Sequence, residues 1–292
     1  MIYLLLSIIC TAMLVLTFKV FEQRAIPIFQ AIVFNYLSAT ICAFLFMPDK
    51  SQLISGHVFS APWLPFSLVL GSMFILVFNL TSITTVRYGV STASVAMKLG
   101  LVFPVLLAFT VYGESFNWLK LLGILFAFVA VILSSLKAGE VQTSGKSSFA
   151  ILPAVVFVGS GLCDSMTQYA NKKYLAETGM EEFSLFLFIA AGFFGTCIFV
   201  YQLVTGKTSL NRKSFIGGTI LGVINYFSFL FILKALAGVS WGSSVVFPVS
   251  NLGTVAVATV AGVLFFKERI SRVNFVGLIF ALLSILLIIL SN

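Results

Sequence analysis

Two charged residues stand inside long apolar stretches: Lys98, between Ala96 and Pro104, and Asp164, in Ser160-Gly-Leu-Cys-Asp164. An ionised side chain deep in a hydrocarbon slab costs about 2.5–3.5 kcal/mol on insertion scales, so such a residue faces a partner or a wet path. One ammonium and one carboxylate together could hold both ends of a zwitterion, and Asp164 is the candidate for proton coupling. Around it Ser160, Asp164, Thr167, Gln168 and Asn171 recur at three- and four-residue spacing, which lines them on one stripe of a helix. Asn79, Asn225, Tyr226 and Asn251 add polar groups in other apolar runs. With Lys98, Asp164 and Gln168 they form the candidate substrate-binding set. Competing readings stay open: Lys98 and Asp164 as a buried pair locking the fold, a snorkelling Lys98, or amides that only join helices.

Other chemistry is sparse. There is no Walker-type loop, no DDxxD or HExxH pattern, and a single histidine, His57, in a connection. Cys10, Cys42, Cys163 and Cys197 sit within apolar runs without metal-ligand spacing and are expected to be buried, inert thiols. Glu114 and Glu268 each stand at a helix end, where a capping or pairing role with Lys120, Arg269 or Arg272 outweighs catalysis. The chain is therefore expected to be no enzyme and to need no cofactor or metal. Channel and non-transporting accessory roles remain alternatives to transport.

The elements that must position these residues follow from composition. Of 292 residues, 60% are hydrophobic and 9% charged, with a mean hydropathy of +1.13 and 32 Phe. Ordinary soluble domains carry about 25% charged residues. Apolar runs fall at 2–20, 27–47, 63–86, 90–112, 118–136, 149–171, 183–204, 214–236, 239–265 and 273–290. Each is about the 20 residues a helical crossing needs, and none alternates as a barrel strand would. The expected fold is an all-α polytopic membrane protein with ten transmembrane helices, multi-pass in the cell membrane. The first run lacks a basic start and a cleavage site, so it is expected to be a retained helix. The net charge of +8 lies almost wholly in the connections, where it contacts lipid headgroups rather than nucleic acid.

The chain is also written twice. Cys10-Thr-Ala-Met13 with Lys19 reappears as Cys163-Asp-Ser-Met166 with Lys172. Glu114 before Gly123-Ile-Leu-Phe-Ala127 reappears as Glu268 before Gly277-Leu-Ile-Phe-Ala281, and Gly89-Val-Ser91 as Gly238-Val-Ser240. This gives a first repeat at 1–137, a linker at 138–148 and a second repeat at 149–292. Five crossings per copy turn the second copy upside down, so two inverted five-helix repeats are expected, with substrate handled at their interface. Counting those at the run ends with those in the connections, Lys and Arg number 11 after odd-numbered runs and 5 after even-numbered ones, which places both termini outside. Pro104 and Pro248 could loosen the fourth and ninth runs, and Gly218 and Gly222 read as a close-packing face.

This pattern resembles the drug/metabolite transporter superfamily, specifically its ten-helix EamA-like branch. The resemblance rests on the two five-helix copies, Gly113-Glu114-Ser115, and Lys267-Glu-Arg-Ile-Ser271 followed by Val273-Asn-Phe-Val-Gly277. The first copy departs from the pattern in lacking an Arg after Glu114. The resemblance implies a secondary transporter or exporter of small metabolites, amino acids or drugs among them, with a central cavity lined by helices 1, 3, 4, 6, 8 and 9. It also implies cytoplasmic termini, against the charge count, so the orientation stays open.

Overall fold

A backbone in hydrocarbon must satisfy its own N–H and C=O groups, which leaves helices as the solution for runs without alternation. The computed structural model describes residues 1–54, 56–88, 96–113, 117–135, 151–175, 179–238, 243–266 and 272–290. These form α1 (Ile2–Gln23), α2 (Ile28–Phe46), α3 (Leu64–Tyr88), α4 (Val102–Thr110, after a separate helical turn at 96–99) and α5 (Trp118–Ser135). The later elements are α6 (Ile151–Tyr174), α7 (Met180–Val204), α8 (Arg212–Gly238), α9 (Ser243–Phe266) and α10 (Arg272–Leu290). Each expected run overlaps one of them. Among the described residues seven helices are long and apolar enough to cross a membrane, and shorter apolar helices lie at Ala96–Thr110, Trp118–Ala130 and Phe275–Leu287. The protein is all-α and polytopic. The linker, Glu114, Glu268 and Arg269 lie outside the described residues.

Helix ends show local causes. α7 closes with Gly206 at a φ of 69°, while Gly206 N–H donates to the Leu203 carbonyl and Lys207 N–H to that of Gln202. That two-bond arrangement satisfies carbonyls the helix would otherwise orphan, and its left-handed residue favours glycine. α8 starts at Asn211, whose Oδ1 accepts from the N–H groups of Lys213 and Ser214.

The chain forms two compact units, one of Met1–Phe78 with Met166–Gly238, the other of Asn79–Ser165 with Val239–Asn292. Each unit draws on both halves of the chain. In the first, α8 packs on α2 and α1, and α2 packs on α7. Glycine sets the spacing: a Cβ on Gly218 would strike the Ala31 carbonyl, and one on Gly222 the Asn35 carbonyl and, at 2.7 Å, the Ser38 Cβ. The expected close-packing face is thus present. The same contact recurs from α3, where a Cβ on Gly71 would strike the Leu187 carbonyl and, at 2.9 Å, the Ala190 Cβ. Positions 35 and 187, and 38 and 190, differ by 152, and 71 and 222 by 151, so one contact is made twice.

In the second unit α10 packs along α5, and α9 packs on α4, α5 and α10. Buried Leu101, Val105, Ile124, Ala127, Leu252 and Ala281 form its core. The buried Ser284 hydroxyl donates to the Gly123 carbonyl at 2.6 Å, and the Phe126 and Phe280 rings meet edge to face at 5.2 Å. Cys197, expected to be buried, is exposed on α7. An apolar helix surface in a bilayer faces lipid, so apolar surroundings in sequence did not mean burial in protein.

Candidate functional site

The fourth run was expected to be one helix. It is interrupted at Gly100–Leu101, two residues beyond Lys98. Pro104 has no N–H to offer the Gly100 carbonyl. That carbonyl instead accepts from Phe103 N–H at 3.0 Å, and Leu101 N–H donates to the Lys98 carbonyl at 3.3 Å, both three residues back rather than four. The Met97 carbonyl, left without its α-helical donor, faces the hydroxyl of Ser160 on α6 at 3.0 Å; that hydroxyl also lies 3.1 Å from the Phe157 carbonyl. Interrupted membrane helices persist where a neighbour satisfies the freed groups, as Ser160 does here.

Close approach makes this possible. A Cβ on Gly100 would collide with Ser160 Oγ and come within 2.8 Å of Gly161 N, and one on Gly161 would strike the Phe103 ring. The Phe103 and Phe157 rings then pack 5.3 Å apart. The break therefore fixes the end of the turn that carries Lys98.

Lys98, half-buried as a residue, donates its ammonium to Asn251 Oδ1 on α9 at 2.9 Å. Asp164, half-buried on α6, interacts with Lys98 as a charge. Among the described residues Lys98 forms no direct ion pair, and its close partner is the neutral amide. The second unit thus brings together three of the sequence-derived candidates, Lys98, Asp164 and Asn251. Two further hydroxyls in it, Ser165 Oγ and Thr254 Oγ1, are buried without a hydrogen-bond partner. Thr254 lies one helical turn beyond Asn251. Asn79, half-buried on α3, belongs to this unit too.

The remaining candidates lie in the first unit. Gln168 and Tyr226 are fully buried and Asn225 is half-buried. Tyr226 packs against Phe46, Phe188 and Phe227 with its hydroxyl unpartnered. An unmet buried polar group costs about 1–3 kcal/mol. Asn35 Oδ1 on α2 is in the same condition. Asn171, at the end of the polar stripe, donates to the Leu233 carbonyl at 3.0 Å and so ties α6 to α8. The stripe faces protein: Ser160, Thr167, Gln168 and Asn171 are all buried.

Sequence reasoning missed the Lys234–Glu181 ion pair, closed at 2.9 Å with Lys234 over the Tyr3 ring. Both residues lie near the ends of apolar runs, where charges raise no alarm. It also missed that Lys98 and Asn251, which meet here, stand in the same short sequence context. The signal was present: Lys98-Leu-Gly100 and Asn251-Leu-Gly253.

The second half matches a family model, residues 151–290 fitting the EamA-like transporter family. A protein of Haemophilus influenzae (strain Rd), described as uncharacterized, is 31% identical over 97% of this chain and 95% of its own length. A solved protein crystal structure superposes with a TM-score of 0.71 over 99% of this chain and 96% of that one, at 12% identity. That likeness is one of fold.

Proposed function

Because the chain belongs to the EamA-like transporter family, whose members are generally non-enzymatic membrane transporters of small molecules, we propose that it is a secondary transporter of small metabolites, amino acids among them. It is an integral membrane protein with a small-molecule substrate and a lipid surround. In this reading it works in the cell membrane, and substrate passes through a central cavity between two inverted repeats.

The observation that carries the reading is the state of Lys98. Its ammonium rests on the Asn251 amide at 2.9 Å while Asp164 acts on it as a charge. A cation and an anion held near each other but not joined offer two contacts of opposite sign, with Lys98 taking a substrate carboxylate and Asp164 a substrate ammonium. Few polar groups are needed to orient a ligand in an apolar pocket. The inverted arrangement is supported by the pairing of sequence-equivalent helices inside each unit, α2 with α7 in the first, and α4 with α9 and α5 with α10 in the second. Asn79, Gln168, Asn225 and Tyr226 stay candidate contacts within their own units.

The test is flux in liposomes holding the purified protein. Amino acids should compete for uptake and their amidated analogues should compete poorly, with Lys98→Gln erasing the difference. Equal competition by both would favour neutral or cationic drug-like substrates. Absence of flux with any solute would favour an accessory role. Asp164→Asn should abolish proton-driven accumulation while exchange persists; unchanged pH-dependent uptake would remove Asp164 from coupling.

A further inference from the structure

Lys98 and the amide that holds it stand 153 positions apart. The same interval separates Cys10 from Cys163 in the duplicated signature, and each of the pair is followed by Leu-Gly, at 99–100 and 252–253. Gly89 and Gly238 stand 149 apart and Glu114 and Glu268 154 apart, so with the second copy's extra residues falling between Ser240 and Asn251 the two are one position of the repeat, met twice. Two equivalent positions touch only where the operation relating the copies moves a point very little, that is, beside the axis of a twofold. The neighbouring helices agree, since α4 packs on its equivalent α9 and α5 on its equivalent α10. A point beside such an axis is equally within reach of both members of the pair.

The chemistry of the two members differs. An ammonium has three donors and no acceptor, and an amide oxygen takes one of them without adding charge. The Asn251 amide therefore adds no negative charge beside Lys98 and leaves two of its N–H groups for an anionic group. A carboxylate in place of the Asn251 amide would neutralise the lysine and fill that place with protein.

We propose that Asn251 is the positioning residue for the Lys98 ammonium, and that the two equivalent positions are interchangeable. An ammonium delivered from α9 and held by an amide from α4 would serve the same anion-binding point, whose ligand class is a carboxylate. The proposal rests on the transport reading above for its ligand, and on the pairing geometry alone for the interchange. It recasts Asn251 as a group that acts through Lys98 rather than one that touches substrate.

The experiment compares the wild-type chain with Lys98→Asn, Asn251→Lys, the double exchange carrying both changes, and Asn251→Asp. Each is purified whole and placed in liposomes, with leucine as the transported probe and leucinamide as the amidated competitor. Thermal melting is followed in detergent. Lys98→Asn should lose at least about tenfold in leucine uptake, as expected for a lost charged hydrogen bond. Asn251→Lys faces two ammoniums and should lose uptake and melt earlier. The double exchange should regain both, with uptake within about threefold of wild type and the preference for leucine over leucinamide restored. Asn251→Asp should raise the leucine KM about tenfold with maximal flux held, because the lysine is then neutralised.

A double exchange that melts like wild type yet transports as poorly as Lys98→Asn overturns the proposal. Should the double exchange fail to fold, Asn251→Asp decides, and an unchanged KM overturns it. Should the wild-type chain carry no leucine, the transport reading falls by itself. Melting then decides the interchange: stability recovered in the double exchange supports it, and none recovered overturns it.

Discussion

The two compact units use charge in opposite ways. In the first, Lys234 meets Glu181 directly at 2.9 Å and covers the Tyr3 ring, so each charge has its partner. In the second, Lys98 meets a neutral amide at the same distance, and the nearby Asp164 acts on it only as a charge. Backbone follows suit. The first unit is fastened by glycine-on-carbonyl contacts made twice, at Gly71 and at Gly222, with long unbroken α7 and α8. The second holds an interrupted helix whose freed carbonyl is met by a serine from α6. The contrast teaches that similar helices, drawn from both halves of the chain, can close a charge on its opposite in one place and rest a lysine on a neutral amide in another.

The comparison breaks most directly at Lys98. Lys98→Gln should cut amino-acid uptake by about 10- to 100-fold, the range of a charged hydrogen bond of about 1.5–3 kcal/mol, while the melting temperature holds. Uptake unchanged in liposomes would remove the functional half of the contrast.

On the framework side, Gly222→Leu should destabilise the first unit by at least about 1–3 kcal/mol, since its side chain would meet backbone rather than a movable side-chain tip. Gly71→Leu should do the same at the equivalent contact, and denaturant or thermal melting reads both. Equal stability in these variants would show that the close approach is not what fastens the helices.

Ser160→Ala sharpens the account of the break. It leaves the Met97 carbonyl without its hydroxyl donor and should cost about 1–3 kcal/mol of stability, with reduced transport because the turn bearing Lys98 loses its anchor. Ser160→Thr, which keeps the hydroxyl, should fall nearer wild type. The smallest effect is expected at Lys234→Gln. Its ion pair is partly exposed, with side-chain exposures of 31% and 19%, so about 0–1 kcal/mol of stability and no loss of uptake are expected. A transport defect there would place function in the first unit as well.

The helices were legible because hydrocarbon admits few alternatives: an unalternating run of about 20 apolar residues reads the same in sequence and in space. Lys98 and Asp164 could be singled out because an intramembrane charge is costly wherever it sits, and both fall in the second unit. The interruption at Gly100–Leu101 was legible only in part: Pro104 was expected to loosen the fourth run, but so was Pro248 the ninth, and Pro248 lies within the unbroken α9. The fate of single amides was not legible. Asn171 joins two helices, Asn251 holds a lysine and Asn35 keeps an unmet oxygen, though all three look alike in apolar sequence. What separates them is the group opposite, which belongs to a distant part of the chain.

That distance sets an order of events during synthesis. The partner surface for α1 and α2 is α8, which begins at Arg212, more than a hundred residues after α2 ends. At about 5–20 residues per second the ribosome needs on the order of ten seconds to deliver it. Throughout that interval Gln30 lacks Thr208, Ser209 and Asn211, the residues that meet its amide in the finished protein. The nascent amino-terminal pair must wait with that amide, three residues into α2, met by water or headgroups instead. Closure of the first unit is therefore late, following the synthesis of α8 rather than that of α2.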